Sequence, residues 1–184
     1  MTQDNALNTA VTLPLPPGQW VFDPLHSAVN FTIRHLGIAK VRGRFREVSA
    51  ELYVGERADE ITVSAEIALA SLDTGNADRD AHTRSADLLD VEKRPTMRFR
   101  STRVSGVGVE WSMEGELTIG DVTRPVTLAV EFGGLGDFHG RRHAGFEATG
   151  AIRRSDFGLD FGGGLLSDVV KIQLDMEFME PEGK

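Results

Sequence analysis

The chain has 184 residues, of which 40% are hydrophobic and 26% are charged, a balance that fits one globular domain and argues against a disordered chain. It contains no cysteine, which excludes disulfide scaffolds, zinc–thiolate sites, iron–sulfur clusters and thiol nucleophiles. The net charge of -8 disfavours broad binding to nucleic acid or anionic membranes, and no apolar run approaches the roughly 18 residues of a membrane-spanning helix.

The first 18 residues have the composition of a flexible arm. Pro14, Pro16 and Pro17 predict an extended segment, and the only charged residue, Asp4, leaves no basic start for a secretory signal. We therefore predict a flexible arm over residues 1–18, a single domain over residues 19–180 and a cytoplasmic location. The alternative is a mature exported protein whose signal has been replaced by Met1.

From Trp20 onward, apolar and polar residues alternate in short stretches. The clearest case places Val29, Phe31, Ile33 and His35 on one face of a strand. Similar stretches occur near residues 50–54, 61–69, 97–101, 107–119, 126–132, 146–152 and 170–178. About eight half-buried strands at short spacing predict an antiparallel sandwich or barrel. The alternation alone does not distinguish a barrel filled by side chains from one that holds an elongated ligand.

One segment interrupts the strands. Asn76 is a favourable N-cap, and the stretch from Ala77 to about Leu89 contains neither Gly nor Pro, which predicts one short inserted helix. Because strands and helices do not alternate along the chain, a doubly wound nucleotide-binding fold is disfavoured.

Asp23, His26 and Ser27 suggest a Ser-His-Asp hydrolase at first sight. On a strand, however, His26 and Ser27 point to opposite faces, so the base would not reach the hydroxyl. The sequence also has no Gly-x-Ser-x-Gly elbow, and we predict no catalytic triad.

Two other motifs are explained by structure. Asp78 and His82 share a helix face, but no second histidine has ligand spacing, so we predict helix-capping acids and no metal site. The glycine-rich stretch 133–140 leads from strand to strand, which predicts a flexible hairpin loop and no dinucleotide cofactor.

Arginines at two places in the sequence are candidates for a salt bridge or for binding a headgroup. Arg153 and Arg154 are expected to form a salt bridge with Asp156 at the surface or the barrel rim. Arg79, beside Asp80 in the first helical turn, is placed to pair with an anionic headgroup.

Several motifs, in this order, resemble the YceI-like family. They are WVFDPLHS (20–27), FTIRHLG (31–37), VRGRF (41–45), SLDTGN (71–76), RDAH (79–82), PTMRF (95–99), GELTIGDVTRPV (115–126) and RSDFGL (154–159). The resemblance spans about residues 20–178. It implies an extended eight-stranded antiparallel lipocalin-like β-barrel with one short inserted helix, a long polyisoprenoid or other single-chain lipid in the bore, no catalytic residues and commonly a homodimer.

We assign the bore and its polar end on this basis. The predicted lining is Val29, Phe31, Ile33, Phe45, Leu52, Phe99, Leu117 and Phe157. The predicted polar end is His35, Arg79, Asp80 and His82, although a lone histidine on an apolar face, such as His35, is more often a core residue.

The predicted function is binding of a polyprenyl or quinone-type lipid, or a similar amphipathic lipid, for transport, storage or sequestration. We predict no nucleic-acid partner, no stable membrane insertion and no cofactor. Two alternatives stay open. One is an isoprenoid-modifying enzyme that uses the same tunnel with His35 or His82 as general base, and the other is a ligand-free structural barrel that contacts a protein partner.

Overall fold

Eleven strands form one antiparallel sheet in the computed structural model, which describes residues 14–183. The strands are β1 Gly18–Phe22, β2 Ala28–His35, β3 Ala39–Phe45, β4 Val48–Val54, β5 Thr62–Ala68, β6 Leu72–Asp73, β7 Thr96–Val107, β8 Glu110–Ile119, β9 Val122–Phe138, β10 Arg141–Arg153 and β11 Val169–Met179. Between β6 and β7 lies the helix α1, Ala77–Arg84. Short 3-10 helices span Ala58–Glu60, Leu69–Ser71 and Arg154–Phe157.

The sheet closes into an eight-stranded barrel because its first six strands join in pairs. β11 pairs with β2 through Ile172 and Phe31, and with β1 through Met179 and Val21, so β1 and β2 act as one bent strand. β3 and β4, which pair with β2 and β1, form a second composite strand, and β5 with β6 forms a third. The ring closes at β11, which confirms the predicted antiparallel barrel with one inserted helix.

Two clusters of buried side chains stabilise the two ends of the barrel. The first surrounds Trp20, whose indole Nε1 donates to the Pro16 carbonyl at 3.0 Å, and includes Val54 and Phe178. The second includes Leu72 on β6 and residues from β8, β9 and the Arg154–Phe157 segment. Because strand side chains alternate between faces, each strand contributes every second residue to the interior.

Most of the predicted arm over residues 1–18 lies outside the described residues. Within the described part, Leu15 is buried in the Trp20 cluster. Gly18 begins β1 and pairs with Val54. Contacts with the barrel therefore begin before residue 19.

The helix ends earlier than the sequence predicts. Asn76 caps it as expected, because its side-chain oxygen accepts from the Arg79 N–H at 2.9 Å. At Ser85 the backbone becomes extended, and both the Ser85 N–H and hydroxyl bind the His82 carbonyl. This local bonding competes with the helical ladder, so residues 85–89 form turns. In residues 14–183 no helix is long and apolar enough to cross a membrane.

The predicted hairpin between two strands is confirmed, but its loop is shorter than residues 133–140, because residues 133–138 belong to β9. The turn consists only of His139 and Gly140, both with positive φ (49° and 75°), the geometry of a two-residue hairpin turn. The register shifts between Gly145 and Phe146, so that one extra residue of β9, Gly133, is accommodated. The glycines thus permit a bulge within a strand.

The Asp23, His26 and Ser27 motif forms a structural corner between β1 and β2. These residues lie in a turn and not on a strand, which corrects the geometry assumed from the sequence. The buried Asp23 carboxylate accepts from His26 Nδ1 at 2.8 Å and from the Leu25 N–H at 2.9 Å. Ser27 Oγ donates to the Asp23 main-chain carbonyl at 2.6 Å and accepts from the Glu177 N–H at 3.0 Å. The serine therefore does not offer its proton to His26.

Asp23 and His26 in this corner should make the free energy of unfolding depend on pH in opposite directions. Burial raises the pKa of Asp23, but hydrogen bonds from His26 and the Leu25 N–H outweigh it and hold that pKa below its ordinary value of 3.8. The hydrogen bond to Asp23, and then the aspartate charge, raise the pKa of His26 above 6.5. The contribution of His26 is therefore complete below pH 6.5 and lost as the pH rises through the raised value. The contribution of Asp23 is present above pH 3.8 and lost as the pH falls through the lowered value.

We expect His26→Ala to lower the free energy of unfolding more at about pH 5.5 than at about pH 8.5, because only protonated His26 gains from the Asp23 charge. Urea denaturation of wild type and variant at both pH values measures this difference. An equal loss at the two pH values would show that the charge of His26 does not stabilise the corner.

Candidate functional site

A cavity of about 680 Å³ occupies the interior of the barrel. Its wall includes Leu15 and Phe178 near the Trp20 cluster, and Leu165 and Leu166 in the segment between β10 and β11. Most of the lining side chains are aliphatic or aromatic, and they come from β2 to β11. The cavity is therefore a long apolar space that the barrel wall encloses.

Alternation along β2 explains how this wall forms. Four residues of β2 line the cavity, because side chains two residues apart share a face of a strand: Val29, Phe31, Ile33 and His35. The intervening Thr32 is directed to the other face, where its hydroxyl donates to the Gln173 side chain at 3.2 Å.

Two glycines leave room for phenylalanine rings against the wall. Phe31 pairs with Gly43 on β3, and a Cβ at Gly43 would overlap the Phe31 ring. A Cβ at Gly115 on β8 would likewise overlap the ring of Phe99. Each ring therefore lies over a glycine, and a side chain at either glycine would force the ring to move.

Apart from Asn30, the polar lining residues lie at one end of the cavity, near the end of β2 and near α1. They are His35, Thr74, Arg79, His82, Thr83 and Arg154. Arg79 is held in place, because its guanidinium donates to the Thr74 hydroxyl at 2.7 Å and the Thr74 carbonyl at 2.8 Å. The Nε2 of His82 lies 2.9 Å from Asp87 Oδ2, and its ring contacts Phe161 edge-on. This arrangement presents hydrogen-bond donors at one end of an apolar space.

Ten of the twelve residues predicted for the site line the cavity. They are Val29, Phe31, Ile33, His35, Phe45, Leu52, Arg79, His82, Phe99 and Leu117.

Phe157 and Asp80 do not line the cavity. Phe157 lies in the 3-10 helix that follows β10 and is buried in the second core cluster, because this segment turns away from the strand alternation. Asp80 is the buried residue of α1, and its carboxylate accepts from the Thr74 N–H at 3.0 Å and from the Thr74 hydroxyl. Asp80 therefore positions Thr74, which in turn holds Arg79.

Arg154 has a role that the sequence did not reveal. The expected surface salt bridge with Asp156 is wrong, because Arg154 is buried and its guanidinium donates to main-chain carbonyls. These carbonyls belong to Leu159, Phe161, Leu166 and Ser167. One side chain thus organises the whole segment that forms this edge of the cavity. A signal was available, because a glycine-rich segment without regular structure still needs partners for its main-chain groups.

One cluster of His, Asp and Glu side chains in residues 14–183 has the spacing of metal ligands. Asp23, His143 and Glu177 offer ligand atoms within 4.8 Å of one another. His143 Nδ1 already lies 2.6 Å from Glu177 Oε1, and Asp23 accepts from His26. These hydrogen bonds explain the cluster as part of the corner that joins β1, β10 and β11.

Comparisons with known proteins agree with this architecture. The model of the YceI-like domain family matches residues 20–178. A UPF0312 protein of Enterobacter sp. (strain 638) is 40% identical over 156 residues, which cover 83% of this chain and 80% of that protein. The crystal structure of a Campylobacter jejuni YCEI protein is 31% identical, with a TM-score of 0.73 over 82% of this chain and 91% of that chain. A polyisoprenoid binding domain from Saccharophagus degradans, at 16% identity, shares the fold with a TM-score of 0.67 over 90% of this chain and 100% of that chain.

Replacing Arg154 with Ala should lower the free energy of unfolding by at least about 3 kcal/mol, because a hydrogen bond from a charged group contributes roughly 1.5–3 kcal/mol and several would be lost. Urea denaturation measures the change.

The adjacent Arg153 provides a matched control, since its side chain is exposed. Arg153→Ala should change stability by no more than about 0.5 kcal/mol. Equal effects of the two substitutions would contradict the role assigned to Arg154.

Proposed function

The chain belongs to the YceI-like domain family, and we propose on this basis that it binds a long-chain isoprenoid or a similar amphipathic lipid inside the barrel. The ligand class is a polyprenyl or quinone-type lipid. The proposed role is transport, storage or sequestration of that lipid, without catalysis of a reaction on it.

The cavity carries this proposal, because it is apolar along the strands and polar at one end. Its volume of about 680 Å³ lies within the usual range for small-molecule sites, roughly 300–1,000 Å³. Each methylene group removed from water contributes about 0.8 kcal/mol, so a long hydrocarbon chain gains affinity without specific hydrogen bonds. An apolar chain would therefore lie among the residues of β2 to β11.

The polar end would fix the orientation of the lipid. Arg79 and His82 offer hydrogen-bond donors there, which suit a headgroup with acceptor oxygens such as a phosphate or a quinone carbonyl. Because Thr74 and Asp80 already hold Arg79, little side-chain entropy would be lost when the headgroup binds.

The Saccharophagus degradans protein supports the ligand class, because it is described as a polyisoprenoid binding domain and has the same fold. The homodimer implied by the family resemblance stays a prediction.

Solvent extraction of freshly purified protein, followed by mass spectrometry, tests the proposal. We expect about one long-chain prenyl or acyl species for each chain, with native mass spectrometry giving the same ratio. If the protein is isolated empty, a long-chain ubiquinone at about 100 times its Kd should stabilise it by about 2.7 kcal/mol. An empty protein whose melting temperature does not respond to such lipids would overturn the proposal.

Phe31→Arg should reduce the retained lipid at least tenfold, because it places a charge among apolar lining residues. Circular dichroism would establish that the barrel is still folded. Tyr53→Arg is the matched control, since Tyr53 is an exposed aromatic residue that follows Leu52 on β4. If Phe31→Arg is folded and retains as much lipid as Tyr53→Arg, Phe31 does not line the binding site.

A further inference from the structure

We propose that the barrel docks on a lipid bilayer through an exposed apolar rim at the edge of its cavity and takes up its ligand there. The rim consists of Leu36, Ile38, Phe161 and Leu165. This inference rests on the proposed lipid-binding function and adds the surface from which the lipid enters.

The four rim side chains are large, apolar and exposed to solvent. The exposed fractions are 52% for Leu36, 79% for Ile38, 42% for Phe161 and 50% for Leu165. Leu36 and Ile38 lie in the turn between β2 and β3, and the other two lie in the segment between β10 and β11. The two segments are joined, because the Leu36 N–H donates to the Leu165 carbonyl at 2.7 Å. The rim is therefore one surface built from two parts of the chain.

Leu36 occupies a backbone conformation that its side chain does not favour. Its φ is 53°, and Gly37 follows with a φ of 71°, so both central residues of the turn are left-handed. Asn, Asp and Gly are the preferred residues at such positions. Leucine at this position favours neither formation of the turn nor solubility of the protein. An apolar environment outside the protein would account for it.

The rim is continuous with the cavity wall. Phe161 and Leu165 contribute to both, and the cavity also contacts His35 and Ala39 on either side of the turn. A bilayer seated on the rim would extend the apolar lining into the acyl region of the membrane. A polyprenyl chain could then pass between them without crossing water, where its exposed area would be costly.

Two nearby cations and the small size of the rim favour a bilayer over other occupants. Arg34 and Lys40, which are exposed register partners behind the turn, can extend their cationic ends toward lipid phosphates. Asp160 is exposed beside Phe161, and the net charge is -8, so apolar insertion and not attraction to anionic lipid should dominate. Four projecting side chains are also far fewer than the roughly 20–30 residues that each partner contributes to a stable protein interface.

The test measures transfer of a long-chain ubiquinone from phosphatidylcholine vesicles to the delipidated full chain, with the protein separated from vesicles by flotation. The variant combines Leu36→Asn with Ile38→Glu. Asn suits the left-handed position, so the turn should fold at least as well as in the wild type. Neither residue is part of the cavity wall. We expect vesicle uptake to slow at least tenfold, while binding of ubiquinone added from dilute ethanol stays unchanged.

Val107→Asn combined with Val109→Glu is the matched control. These valines lie on either side of Gly108, where β7 ends and the chain turns toward β8 at the opposite end of the barrel, and are 69% and 53% exposed. This control should take up ubiquinone from vesicles at the wild-type rate.

Two results would overturn the docking proposal alone. One is equal vesicle uptake by the wild type and the rim variant, both of which bind ubiquinone from ethanol. The other is slow uptake by the rim variant and the control alike, which would reflect loss of exposed apolar area in general. Wild-type protein that binds ubiquinone from neither source would instead refute the proposed function on which the docking depends.

Discussion

Closure of the sheet is the constraint on which the rest of the structure depends. β11 completes the ring by pairing with both β1 and β2. In a closed ladder the main-chain N–H and C=O groups bind one another within the wall, so the interior receives side chains alone. Period-two alternation then makes that interior apolar. The corner around Asp23 supports this closure, because it joins the bent strand to the main chain of Glu177 in β11.

The side chains that stabilise the barrel also form much of the wall of its cavity. Protein interiors are normally packed without large voids, and a cavity removes favourable contacts. Here buried cluster residues such as Leu72 and Phe178 border the cavity together with half-buried side chains such as Phe31. A bound apolar chain would restore the contacts that the middle of the barrel lacks.

Local periodicity indicates which residues form most of the wall, and contacts between separate segments account for the rest. The faces of β2 follow from alternation alone, and Val29, Phe31 and Ile33 line the cavity. Phe157 and Arg154 lie in a 3-10 helix, where that period does not apply. The partners of Arg154 are main-chain carbonyls up to 13 residues away, whose positions depend on the finished fold. The glycine-rich composition of the segment indicates that its main-chain groups need partners, but not which side chain provides them.

The position of Arg154 also has a consequence for how the edge of the cavity moves. The carbonyls of Leu159, Phe161, Leu166 and Ser167 share one guanidinium. If part of this segment moved away, the guanidinium would be poorly placed for the carbonyls that remain. Breaking any one of these hydrogen bonds therefore weakens the others. The segment should therefore move cooperatively, as a single body between an attached and a detached state. Passage of a ligand at this edge would then follow the two-state kinetics of one opening event.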